Sequence, residues 1–181
     1  MKNNLTIFSV LAVFAACAIY FYASSNSTVN NAARHISEIN LDYYTRRGMV
    51  QKKQFSPEKS DTIQKLDLGP SIQKADALFE KDEKKAAANY EQLLKSDPGN
   101  VSIHLRLGML YLKLNQLDAS KEHLYFVHEN KDSGLQPDSA WFLALLNIKE
   151  QNPEKAKMLL EECVVKKCSY KIEAEALLQT I

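Results

Sequence analysis

The sequence predicts an all-α protein: a short solenoid of three helix pairs and a capping helix, preceded by one transmembrane helix. Three observations predict it. Residues 5–22 carry no charge, residues 71–181 repeat one apolar pattern at intervals of 34 and 36 positions, and the 181-residue chain holds only 5 Gly and 5 Pro. Few Gly and Pro residues favour helices, because both interrupt helical backbone.

The first element is the uncharged segment 5–22, which is predicted to lie in a membrane. Its 18 residues would form a helix about 27 Å long, close to the thickness of the hydrocarbon core. Tyr20 and Tyr22 stand at its end, where aromatic residues favour the membrane interface. We interpret residues 1–23 as a signal anchor. A cleaved signal peptide and a lipoprotein signal with lipidation at Cys17 remain open.

The orientation of this anchor follows from the cations beside it. Lys2 precedes the segment, and the first cation after it is Arg34. Because positive charge is retained on the cytoplasmic side, we expect a single-pass membrane protein with most of its chain outside the cytoplasm, which in a bacterium is the periplasmic side.

The second element is a flexible linker over residues 24–69. It begins with a run of Ser and Asn residues, which is typical of a tether. A short helix over 33–45 is also predicted from apolar side chains that are loosely spaced along it: Ile36, Ile39, Leu41 and Tyr44.

The third element is a repeat domain over residues 70–181, with repeats at about 70–99, 100–135 and 136–168 and a cap at 169–181. Each repeat has a small residue, a large one four positions later and an apolar one three positions further. These triplets are Ala86, Tyr90 and Leu93; Ser120, Leu124 and Val127; Ala156, Leu160 and Cys163. Small residues at a fixed period let paired helices approach closely, and three repeats are near the minimum for a stable stack.

The ends of these helices also have sequence signals. Asn100 or Asp97, Asp138 and Asn152 stand where side chains cap a helix N-terminus. The final helix is predicted to bury four apolar residues against the open end of the stack: Ile172, Ala176, Leu177 and Leu178.

The pattern resembles the tetratricopeptide repeat. The second repeat carries the resemblance best, with Gly108 followed by Tyr111, then Ser120 and Leu124. The third repeat, at 140–146 and 152–157, and the aromatic-Arg-Gly segment 43–48 resemble those of small membrane-anchored bacterial members of this family. Asn147, where the family has an aromatic residue, and an insertion at 131–136 depart from the pattern.

The resemblance implies that the first helix of each pair lines a concave surface that binds a protein or peptide. On this surface it places apolar and aromatic candidates for partner binding: Leu105, Met109, Leu112, Trp141, Leu145 and Ile148. An apolar or amphipathic helix is therefore the expected ligand, with Trp141 as a hot spot. Two alternatives stay open, namely that Trp141 is a core residue and that the chain's own segment 33–46 occupies the surface.

Nothing in the sequence indicates catalysis. The chain has no Gly-rich phosphate loop and no nucleophile elbow, and its four His residues lack metal-ligand spacing. We expect no enzyme activity, no cofactor and no bound metal. A net charge of +1 argues against nucleic acid as a partner. Cys163 is expected to be a buried thiol, with a disulfide to Cys168 left open.

The function predicted from these observations is that of a membrane-tethered scaffold or adaptor for another protein. The alternative is a structural component that self-assembles within an envelope complex. The sequence names neither the partner nor the oligomeric state.

Overall fold

The computed structural model describes residues 68–181, which form seven α-helices and contain no β-strand. The helices are α1 Gly69–Leu78, α2 Glu83–Ser96, α3 Val101–Lys113, α4 Leu117–Glu129, α5 Gln136–Lys149, α6 Pro153–Val165 and α7 Lys171–Leu178. Consecutive helices pack against each other, and a 3₁₀ turn at Lys131–Ser133 lies in the connection between α4 and α5. The predicted all-helical fold of three pairs and a final helix is confirmed for this part of the chain.

Several predictions concern residues outside the described ones. They are the anchor at 1–23 with Cys17, the linker before residue 68 with its short helix at 33–45, and the resemblance at 43–48. None of the helices between residues 68 and 181 is both long and apolar enough to cross a membrane.

Two of the predicted N-terminal caps are present. The Asn100 side chain accepts a hydrogen bond from the Ile103 amide at 3.2 Å, and that of Asn152 accepts one from the Lys155 amide at 3.3 Å. Each bond satisfies an amide that has no partner inside its helix.

The third predicted cap is wrong. Helix α5 begins at Gln136, so Asp138 lies within its first turn. Its carboxylate instead accepts bonds from the Ser169 amide at 2.8 Å and the Ser169 hydroxyl at 3.0 Å. Asp138 therefore ties the start of α5 to the turn that precedes α7.

Three turns share one backbone geometry. Asn115, Gln151 and Lys167 follow the ends of α3, α5 and α6 with φ of 59°, 60° and 53°. At each turn the next amide bonds back to a carbonyl five residues earlier, as the Gln116 amide does to Tyr111 at 2.8 Å. This is the Schellman arrangement, which needs a left-handed residue after the helix. The first two turns lie 36 residues apart, the interval found in the sequence.

The small-residue pattern is confirmed in the core. Ala86, Ser120 and Ala156 are fully buried, as are the large residues that follow them, Tyr90, Leu124 and Leu160. Helices α3 and α4 approach closely at Gly108. A Cβ atom added there would lie only 2.6 Å from the Leu124 side chain. The Ser120 hydroxyl donates to the Gly108 carbonyl at 2.7 Å, so the two helices are also joined by a buried hydrogen bond.

Asn147 occupies the position where the repeat pattern has an aromatic residue. It is 1% exposed, and its side-chain amide donates to the Leu143 carbonyl of the same helix at 2.7 Å. A polar group is therefore accommodated in the core because the helix backbone itself supplies its acceptor.

The last helix buries a different face from the one predicted. Ile172 and Ala176 are exposed, whereas Tyr170, Ala174 and Leu177 are buried. These three lie at i, i+4 and i+7, which is one helical face. The prediction missed it because it did not include Tyr170, which stands immediately before the helix.

The two C-terminal cysteines are paired. Cys163, in α6, forms a disulfide with Cys168, and their Cα atoms lie 5.0 Å apart, a separation that suits a disulfide. The expectation of a free buried thiol at Cys163 was therefore wrong. The bond spans the turn between α6 and α7, beside the hydrogen bonds through which Asp138 binds Ser169.

Candidate partner-binding face

The six candidate residues lie on corresponding positions of α3 and α5. Leu105, Met109 and Leu112 follow the spacing i, i+4 and i+7, and Trp141, Leu145 and Ile148 repeat it 36 residues later. The structure brings all six into one apolar cluster, where each is at most 2% exposed. We call these six residues the α3–α5 stripe. Their role in binding a partner stays a prediction.

The corresponding positions of the first repeat differ in both chemistry and burial. Phe79 corresponds to Tyr111, so positions 32 residues before the stripe of α3 are Gln73, Ala77 and Glu80. All three are exposed. The stripe is thus confined to the second and third repeats.

Trp141 is the largest side chain of the stripe, and it contacts the end of the stack. Its ring stacks on Tyr170 with centroids 5.5 Å apart and planes 12° apart. Phe142 meets the same tyrosine edge-on at 5.3 Å. Tyr170 was absent from the sequence-based candidates, although it lies at the start of the predicted cap 169–181, where an aromatic residue is a usable signal.

A buried ion pair fixes α3 against the first repeat. Arg106 is 5% exposed, and its guanidinium binds both carboxylate oxygens of Asp76 at 2.8 and 3.2 Å. The Tyr90 hydroxyl donates to the same carboxylate. Burial first, and then the nearby negative charge of Asp76, raise the pKa of Tyr90 above its ordinary value. This triad holds three helices together at the N-terminal side of the stripe.

Two histidines join α3 to α4. The Nδ1 atoms of His104 and His123 lie 2.9 Å apart, and Nε2 of His104 donates to the Pro98 carbonyl at 2.9 Å. Both facing nitrogens cannot carry a proton at once, so the contact tolerates one positive charge at most. Burial and the neighbouring His104 lower the pKa of His123.

A polar cluster lies where α4, α5 and α6 meet. The Glu162 carboxylate accepts bonds from Gln136 at 2.6 Å, from Lys166 at 2.8 Å and from His128 at 3.0 Å. Burial acts to raise the pKa of Glu162, but the bonds from Lys166 and His128 together lower it. The cluster fixes the first turn of α5 against α6. Trp141 lies on the same helix, five residues after Gln136.

Within residues 68–181, no group of three His, Cys, Asp or Glu side chains is arranged to hold a metal ion. The His104–His123 contact and the His128–Glu162 contact each bring together two such groups. We interpret both as links between helices.

Comparison with known families identifies a repeat in the same part of the chain. The family model of the tetratricopeptide repeat matches residues 77–124, from the last turn of α1 to the middle of α4. Residues 77–124 therefore carry a tetratricopeptide-repeat pattern. Comparison with curated proteins and with solved structures found no match. Helices α5 to α7 lie beyond the matched tetratricopeptide segment, and their place in the stack rests on the interval of 36 residues and on the turns at Asn115 and Gln151.

Proposed function

We propose that this chain is a membrane-tethered adaptor whose α3–α5 stripe binds an apolar or amphipathic helix of another protein. Tetratricopeptide repeats generally mediate contacts between proteins, which supports the coarser part of the proposal. The observation that carries the finer part is the stripe itself, with Leu, Met, Ile and Trp side chains on two first helices of successive pairs. A helix that binds in such a groove buries apolar residues along one face.

The proposal includes no catalytic step. A partner would gain most of its binding energy from apolar burial, and tryptophan is one of the residue types that most often dominate such an interface.

The test compares two neighbouring residues of α5. Trp141 belongs to the stripe and Phe142 does not, although both are buried and both contact Tyr170. Each substitution to Ala removes a large buried ring and costs about 3–5 kcal/mol. Proteins that copurify with the full chain from native membranes should be lost in Trp141→Ala and retained in Phe142→Ala, at a temperature where both variants keep their helical circular dichroism. Equal loss in the two variants would reject the proposal.

We further propose that 5–22 tethers the chain and that the repeats lie outside the cytoplasm. The disulfide between Cys163 and Cys168 supports this, because such bonds persist in oxidising compartments. A C-terminal alkaline phosphatase fusion should be active, and a C-terminal green fluorescent protein fusion exported by the same route should stay dark. The opposite pair of results would place the repeats in the cytoplasm.

A self-assembling component is the second candidate, favoured by apolar residues near the C-terminal end. Met158 and Val165 lie one above the other on α6 and are 69% and 78% exposed, and Ile172 of α7 is 76% exposed. Sedimentation of the full chain in detergent at several concentrations tests this candidate. Oligomers that dissociate in Met158→Ser/Val165→Ser would support it, and a monomer at all concentrations would exclude it.

A further inference from the structure

Helix α7 depends on its neighbours for its order. It has only eight residues, which is too short for a helix that is stable in isolation. Its N-terminus also has no hydrogen bond from a capping side chain. The contacts that hold it are apolar, because Tyr170, Ala174 and Leu177 are its buried residues. A short helix held in this way can open locally while the rest of the fold stays intact.

The start of α7 covers the Trp141 end of the α3–α5 stripe. The Tyr170 ring stacks on Trp141 at 5.5 Å, and Trp141 is 1% exposed. The two hydrogen bonds from Ser169 to Asp138 hold the same turn against the first turn of α5. Release of α7 would therefore uncover the tryptophan.

The disulfide between Cys163 and Cys168 lies in the turn that leads into α7. Cys168 is two residues before Tyr170, and the Tyr170 amide donates a hydrogen bond to Sγ of Cys168 at 3.3 Å. The disulfide is thus connected directly to the residue that stacks on Trp141.

The disulfide also limits how far Tyr170 can move. With the bond closed, the free chain begins at Cys168, and two extended residues reach about 7 Å. With the bond open, it begins at Val165, where α6 ends, and five residues reach about 17 Å. The closed loop also has less conformational entropy to gain when α7 opens. Reduction of the disulfide therefore favours release of α7.

We propose that α7 is a redox-controlled latch on the Trp141 end of the α3–α5 stripe. The disulfide between Cys163 and Cys168 keeps Tyr170 against Trp141. Reduction of this bond releases α7, so that a partner helix can pack on the tryptophan. This inference rests on the proposed function, since it adds a means of regulation to the same surface.

A dithiol is the reductant that opens the latch. Its first thiolate attacks Sγ of Cys168, which is 6% exposed whereas Cys163 is fully buried. The S–S bond breaks, its electron pair stays on Cys163, and Cys163 takes up a proton. The second thiolate of the dithiol then attacks the mixed disulfide and releases Cys168, which is also protonated. The dithiol ends as a disulfide, and the protein ends with two thiols.

The single tryptophan of the chain reports on the latch. The experiment measures the rate constant for acrylamide quenching of Trp141, from fluorescence lifetimes, before and after dithiothreitol is added. It uses the purified full chain in mild detergent with Cys17→Ser, so that Cys163 and Cys168 are its only cysteines. Reduction should raise the rate constant roughly threefold or more, because a shielded ring becomes accessible.

The matched control is Cys163→Ala/Cys168→Ala in the same Cys17→Ser chain. It has no disulfide, so it should show the raised rate constant with and without dithiothreitol. A response of the control to dithiothreitol, or an unchanged rate constant on reduction of the parent, would overturn the proposal.

Hydrogen–deuterium exchange shows which part of the fold opens. Reduction should speed amide exchange in residues 170–181 by at least about tenfold and leave α3 and α4 at the rates of the oxidised chain. Faster exchange that extends to α3 and α4 would mean that the disulfide supports the whole fold, which would overturn the latch. Unchanged exchange in α7 would overturn it as well.

Partner capture separates failure of the latch from failure of the proposed function. Native membranes should yield roughly threefold or more partner with Cys163→Ala/Cys168→Ala than with the parent, because the open fraction is larger. Equal yields of a partner that still depends on Trp141 would show that the stripe binds without a latch. Release of α7 on reduction, with no partner that depends on Trp141, would support the latch and reject the adaptor role.

Discussion

Arg106 of α3 binds both carboxylate oxygens of Asp76 in α1, at 2.8 and 3.2 Å, so a buried ion pair joins the first two repeats. Asp76→Ala leaves a guanidinium buried without its counterion, and we expect it to lower the free energy of unfolding by about 3–5 kcal/mol. Urea denaturation followed by circular dichroism measures this. Asp76→Ala/Arg106→Met should recover part of the loss, and a double variant no more stable than the single one would argue against the ion-pair explanation.

Gly108 tests the close contact between α3 and α4. An added Cβ would lie 2.6 Å from the Leu124 side chain, so Gly108→Ala should destabilise the fold by about 1–3 kcal/mol despite the better helix propensity of Ala. Gly99 is the control, because nothing lies within 4 Å of the position that a Cβ atom would take there. Thermal melts of Gly108→Ala and Gly99→Ala that coincide would contradict the packing described between the two helices.

A substitution at Gln151 tests the left-handed turn between α5 and α6. Its φ of 60° is strained for a residue with a Cβ atom, and it is exposed. Gln151→Gly should therefore raise the free energy of unfolding by up to about 1 kcal/mol. The neighbouring Glu150 has φ of −79°, so Glu150→Gly should lower it. The same sign of change for both substitutions would speak against the turn geometry.

The lowered pKa of His123 makes the stability of the fold depend on pH. Its pKa is lowered in the folded chain, mainly by burial and then by His104, although Glu122 and Glu91 oppose the shift. The unfolded chain therefore binds more protons below about pH 6.5, and stability falls as the pH is lowered through that region. His123→Gln should flatten the dependence of the melting temperature between about pH 7.5 and 5.5. A slope that equals that of the parent chain would show that other groups cause it.

Glu162 affects the stability of the fold in a separate, more acidic pH range. Because its pKa is lowered in the folded chain, its contribution to stability is present near neutral pH and is lost only as the pH falls below about 4.5. Glu162→Gln should therefore change the pH dependence of melting in the acidic region. An unchanged pH dependence below about pH 4.5 would contradict the cluster formed with Lys166 and His128.

The sequence predicts the helix pairs well because close packing leaves a local signature. Ala86, Ser120 and Ala156 lie where two helices pack closely, and each must be small there. Their spacing therefore reveals the period of the repeat. The caps at Asn100 and Asn152 are equally local, since each involves an amide three residues away.

The contacts that the sequence does not reveal depend on tertiary placement. Asp76 and Arg106 lie 30 residues apart, and Asp138 and Ser169 lie 31 apart, so no short spacing marks either pair. The same holds for the two histidines that meet across α3 and α4. The face of α7 was missed for a different reason, because its register depends on the single turn at which the helix begins.

The clustering of the six candidate residues was predictable from the sequence, whereas their burial was not, and their role in binding stays a prediction. Helical spacing and the family resemblance together select the six stripe residues. Their exposure depends on what else packs against α3 and α5, and no local pattern encodes that. The contrast between the buried stripe and exposed Gln73 and Ala77 comes from the three-dimensional structure alone.

The most direct test of a helix-binding stripe is photo-crosslinking in native membranes. Two chains are compared: one keeps Met109 with Met49→Leu and Met158→Leu, and the other keeps Met158 with Met49→Leu and Met109→Leu. Met1 remains in both chains, so products at position 1 are common to the two and are subtracted. Met109 is buried in the stripe and Met158 is 69% exposed on α6. Our account predicts that photo-methionine at 109 links to one defined partner helix, and that position 158 does not yield this product. Identical products from both positions, or none from 109, would contradict it.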